Sequence, residues 1–176
     1  QKYHPPLHYA IKLQRNDCVS ILIDSGADIN LKTSSAGFDI FSFSHATPLI
    51  TAIASRNRFA IKLLISQKAD LNIANSNGDL PIYYAIHQHD VDTLNDLLSN
   101  GATVNYDSIR YSIEMHDIEC TRMLFSAIQN HDLFNKYKTD ALTSLTKSQN
   151  QSIELLLLLS PDKFQTSTGI EFMTTA

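Results

Sequence analysis

The 176-residue chain has no tryptophan, only two cysteines, and five residues each of glycine and proline. Two cysteines cannot build the disulfide framework by which small secreted domains replace a core. Charge is sparse as well: Asp, Glu, Lys and Arg make up 18% of residues, with a net charge of −4. No surplus of basic side chains is available to neutralise a phosphate backbone, which argues against a nucleic-acid partner. The longest apolar run, Leu155 to Leu159, is five residues, far short of the roughly 18 that mark a membrane span. A Gly-rich phosphate loop, a GxSxG elbow and an HExxH helix are all missing, so the expectation is a non-enzyme without cofactor or structural metal.

What is present is repetition. Hydrophobic residues make up 43% of the chain, enough to bury a core. Residues 84–98, YAIHQHDVDTLNDLL, align without a gap with 111–125, YSIEMHDIECTRMLF. The same frame fits 9–23, 51–65 and, more loosely, 144–158, so units begin near Pro5, Thr47, Leu80, Asp107 and Asp140. Each unit carries two short amphipathic patterns with apolar residues three and four apart, such as Leu7, Ala10, Ile11 and then Val19, Leu22. Helices this short do not persist alone in water. Stacked units bury their stripes against one another. Small residues recur at the sixth position (Ala10, Ala52, Ala85, Ser112), and a leucine ladder runs through Leu22, Leu64, Leu97, Leu124 and Leu157. Pro6, Pro48 and Pro81 sit where a helix begins and the missing N–H is harmless. Gly26 and Gly101 follow the second patterns, where a left-handed residue caps a helix, and Lys68 takes that place in the second unit.

PPLHYA (5–10) followed by SGADIN (25–30) resembles the TPLHxA and GADxN signatures of the ankyrin repeat, at a period near that family's 33 residues. TPLITA with KADLN, and LPIYYA with NGATVN, are similar. The resemblance implies an all-α solenoid of about five stacked helix-turn-helix units over residues 1–160, with short β-hairpin-like fingers between units and a cap or tail at 161–176. It also implies a non-catalytic module binding a protein partner. The expected context is one monomeric segment of a longer intracellular, cytoplasmic protein without membrane insertion. The alternative is the recognition domain of a larger effector enzyme, acting in a host cytosol, whose catalytic domain lies elsewhere.

Two spacings depart from the family pattern. Sixteen residues separate Asn30 from Thr47 but seven separate Asn72 from Leu80, so the first finger (31–46) is nine residues longer than the second. It contains Phe38, Phe41 and Phe43 alternating with other residues, as a strand with one apolar face would. One residue between Asn105 and Asp107 leaves no room for a third finger.

His87, His89, Asp90 and Asp92 crowd into six positions and invite a metal-enzyme reading. The repeat frame sets it aside: His89 falls at the turn between paired patterns, where the family carries glycine, and Asp90 and Asp92 open a helix whose dipole favours negative charge. His8 matches the family's turn-bonding histidine, and Cys18 and Cys120 share a position expected to face the core. Recognition in the family uses the fingers and the exposed part of each first helix. Carried over by position, this predicts Lys12, Leu13, Ser55, His87, Gln88, Glu114 and Met115 at the eighth and ninth places, Tyr9, Tyr84 and Tyr111 at the fifth, and Phe38, Phe41 and Phe43 in the long finger.

Overall fold

A computed structural model describes residues 5–33, 45–128 and 131–147. They contain nine α-helices and, among the described residues, no strand. Contacts divide the chain into two bodies, one up to Thr103 and one from Val104.

The first body holds three helix pairs. They are α1 (Pro6–Lys12) with α2 (Asn16–Asp24), α3 (Pro48–Ala54) with α4 (Arg58–Ser66), and α5 (Pro81–His87) with α6 (Val91–Ser99). The first helices form a row, α3 packing against both α1 and α5, while α4 packs on α2. Each first helix opens on proline as expected. Each closes by one device. The N–H of Arg15, Asn57 or Asp90 donates to the carbonyl of the small sixth-position residue, Ala10, Ala52 or Ala85, at 2.9–3.0 Å. The residue before it turns left-handed: Gln14 (φ 54°), Arg56 (54°) and His89 (53°). The paired bonds from adjacent N–H groups satisfy carbonyls that a helix end leaves open. The second helices end in the same way at Gly26, Lys68 (φ 64°) and Gly101. Lys68 therefore holds a conformation that a Cβ disfavours.

Ile11, Leu49, Ile50, Ile53, Ile61, Leu64, Ile82, Ile86, Leu94 and Leu97 are all at most 1% exposed. Each such side chain contributes on the order of 1.5–3 kcal/mol by leaving water. The leucine ladder is fully buried at Leu64 and Leu97, but Leu22 is half-buried. The shared inward position likewise fails for Cys18, which is exposed.

The second body comprises α7 (Tyr106–Glu114), α8 (Ile118–Ala127) and α9 (His131–Lys147). Asn105, with no finger to follow it, caps α7 directly by accepting the Ser108 N–H at 2.9 Å. Asp117 caps α8 through the Cys120 N–H, and His116 (φ 54°) makes the turn between them. Buried Thr121 donates to Ser112 across the pair at 2.8 Å. α9 is longer than any earlier helix and runs through Asp140 without the turn that opens the other units. Tyr137 meets Tyr106, and Phe134 sits edge-on to Phe125 at 5.5 Å.

Candidate partner-binding face

Four bridges tie successive pairs together and show which positions form the seam between units. Asn57 caps α4 by accepting the Ala60 N–H, while its amide donates back to the Ile11 carbonyl, each at 3.0 Å. Gln88 donates back to the Ile53 and Ala54 carbonyls at 2.9 and 3.2 Å, the open end of α3. After the second helices, the Asn30 side-chain oxygen accepts the Asp70 N–H, and the Asn72 side-chain oxygen accepts both the N–H and the hydroxyl of Thr103. Asp28 and Asp70 each fold their own segment by accepting the N–H two residues on.

These bridges correct part of the expected site. Tyr84 is 2% exposed. Its hydroxyl accepts from Asn75 at 2.7 Å, beside the Asp79 carboxylate. Burial first, and then the Asp79 charge, push the Tyr84 hydroxyl well above the ordinary tyrosine range. It is an anchor for the second finger and is unavailable to a partner. Gln88 is half-buried and committed to α3. Ser55, also half-buried, donates to the Thr51 carbonyl at 2.6 Å. In the third unit the ninth residue thus turns toward the preceding unit and the fifth toward the finger. Tyr9 and Leu13 hold those same positions in the first unit, and each is 52% exposed. Tyr111 and Met115, in the second body, are half-buried.

The eighth position behaves differently. His87 is exposed and stacks on Tyr83, centroids 6.3 Å apart and planes 3° from parallel. Lys12 is half-buried at the end of α1. In the second body Glu114 is exposed and pairs with Arg110 one turn earlier. Tyr83 and Arg110, one helical turn below the eighth position, escaped the reading by position, although their spacing of four residues marks a shared helix face.

The roots of both fingers are closed by hydrogen bonds. At the first, the Thr33 N–H donates to the Ala46 carbonyl and the Ala46 N–H returns to the Thr33 hydroxyl, at 3.0 and 3.1 Å. His8, 1% exposed, sets its Nε2 3.0 Å from the same Ala46 carbonyl. At the second, the Asn75 N–H donates to the Asp79 carbonyl, and the Asn75 side chain accepts from Asn77 and Asp79. Phe38, Phe41 and Phe43 lie outside the described residues.

The model for the ankyrin repeat matches residues 3–34, and the model for ankyrin repeats in three copies matches residues 35–108. The chain belongs to the ankyrin-repeat family. No curated protein gives a significant match to the chain. Ankyrin repeats are in general protein–protein interaction modules, and the family is typically non-catalytic. Among the described residues no helix is long and apolar enough to cross a membrane.

In this ankyrin-repeat chain the crowded histidines and aspartates of the third unit have separate duties. His89 forms the left-handed turn. Asp90 caps α6 through the Thr93 N–H and pairs with Arg58 at 3.1 Å, while Asp92 receives the other arm of that guanidinium at 2.9 Å. Partial burial alone would raise the Asp90 carboxyl, but the Thr93 bonds and the Arg58 charge prevail and hold it below the usual range. Among the described residues no three His, Cys, Asp or Glu side chains converge as metal ligands.

Proposed function

We propose that this chain grips a protein partner with the exposed face of the first helices of its first body, centred on Lys12 and His87, and with the long finger at 31–46 that carries Phe38, Phe41 and Phe43. The supporting observation is the split between positions. In the third unit Tyr84 is buried against the finger and Gln88 is tied to α3, whereas the eighth-position residue His87, backed by Tyr83, stands at the surface. Aromatic and long charged side chains on a rigid row suit partner recognition, because little side-chain freedom is lost on contact.

Photo-crosslinking side chains placed at 12 and 87 should capture one protein of the native cell. The same group at Lys62 and Asn95, exposed on α4 and α6, should not. Equal capture from both sets would refute the assignment of the face.

A further inference from the structure

Charge in the first body is segregated by helix type. Its three first helices, PLHYAIK, PLITAIA and PIYYAIH, contain no aspartate or glutamate. Every described carboxylate of this body lies on a second helix or in a connecting segment. The row of first helices instead carries Lys12 and His87 at its eighth places, and the turns that follow add Arg15, Arg56 and His89. Lys12 is half-buried and the other four are exposed.

Hydrogen bonds line these groups up along one rim. The Gln14 amide donates to the Ser55 carbonyl at 3.4 Å, and Gln88 reaches the Ile53 and Ala54 carbonyls. The ends of α1, α3 and α5 are thereby held side by side. Helix dipoles do not set the sign of this rim, because the negative end of each first helix meets the positive end of the second helix that follows. Side chains set it. The carboxylates flanking the row are engaged: Asp90 and Asp92 close on Arg58 at 3.1 and 2.9 Å, and Asp79 receives the Asn75 amide at the finger root. Asp17 belongs to α2. Apolar contact is available beside the cations. Tyr9 and Leu13, each 52% exposed, stand within one turn of Lys12, and Tyr83 stacks on His87.

We propose that the segment gripped by this row is an acidic peptide, in which aspartate or glutamate lies among aromatic or aliphatic side chains. The inference rests on the partner-binding face proposed above and adds the chemistry of its occupant. Carboxylates meet Lys12, Arg15 and Arg56, with the imidazoles of His87 and His89 as further donors. Apolar side chains settle against Tyr9, Leu13 and Tyr83. A few cations spread over three units suit such a peptide, and lack the density that a phosphate backbone takes up.

Selection on the 176-residue chain from a phage library of short random peptides tests the charge of the occupant. Retained peptides should carry more Asp and Glu than Lys and Arg. The net charge of −4 works the other way, since the field of the whole chain attracts basic peptides. A fluorescein-labelled member of the selected pool then gives affinities by anisotropy. Lys12→Ala with Arg56→Gln should weaken binding at least about threefold, and added salt should weaken the parent more than this variant. Both replacements are residues that the repeat itself uses at those places, Ala54 and Gln14, so the fold is kept. Lys62→Ala with Arg122→Gln, equally neutralising and exposed on second helices, should leave the affinity unchanged. Photo-crosslinking separates this inference from the face on which it rests. Peptides that crosslink from position 87 without an acidic excess would overturn the acidic occupant and leave the face standing. Peptides that crosslink only from 62 and 95 would overturn both. A selection that retains no peptide would overturn the acidic occupant as well.

Discussion

Asn57 offers a sharp test of how the units hold together, because one buried side chain serves two helices. Its carbonyl oxygen caps α4 and its amide binds the Ile11 carbonyl of the preceding unit; the residue is 3% exposed. In Asn57→Ala, losing the cap, which leaves the Ala60 N–H without its acceptor, costs about 1 kcal/mol, and losing the bridge costs about 1 more. For a chain of this length the total of about 2 kcal/mol is a fall of roughly 4–8 °C in the unfolding midpoint. Asn57→Asp separates the parts. The cap acceptor stays, the donor to Ile11 goes, and a buried carboxylate appears without the arginine that Asp90 enjoys at the equivalent place. Its folded-state pKa should therefore rise, so the variant should regain stability as pH falls and protonates it, the reverse of Asp90. Urea and thermal unfolding of the two variants, followed by circular dichroism, give the comparison. If Asn57→Ala unfolds within about 0.5 kcal/mol of the parent, the range of a neutral surface change, the bridge does not couple the units and the reasoning fails.

Lys68→Gly should raise stability by about 0.5–1 kcal/mol in the same assay, since glycine accepts the left-handed turn that lysine holds under strain; an unchanged or lower urea midpoint contradicts this. The depressed carboxyl of Asp90 contributes stability that is whole above the unfolded-state value near about 4 and is lost as pH falls through the folded value. The urea midpoint should therefore decline below about pH 4, and Asp90→Asn should flatten that decline, as a pH series of urea melts will show. Replacing Phe41 and Phe43 together with serine should weaken partner capture while leaving the thermal midpoint in place; a large drop in the midpoint would mean that these phenylalanines belong to the core.

Local features were legible from sequence because local chemistry dictates them. A proline at the first helical position, a small sixth residue and a glycine after the second helix each act within one turn, and all three sit where the repeat placed them. The absence of a third finger also showed in the spacing, and Asn105 does the capping that the spacing demands. Tyr84 was misread for a physical reason. Periodicity separates an inner from an outer face, but it does not say which neighbouring segment covers the border, and here Asn75 and Asp79 of the finger do. Cys18 failed in the opposite sense: its place in the frame matches buried Ala60 and Thr93, yet it is exposed, because burial depends on what packs against a helix and not on the helix's own pattern. The bridges from Asn57, Gln88 and His8 cross 46, 35 and 38 positions. Only the stacking register brings such distant groups within reach.

The pair of hydrogen bonds between Thr33 and Ala46, braced by His8, closes a chain segment at its root. The helices beyond it meet the same two fixed ends whatever lies between them, and the entropy of closing a loop grows only slowly with its length. A change in the length of the segment between these ends therefore costs little in closure entropy, which makes this collar a natural socket for grafting a new specificity.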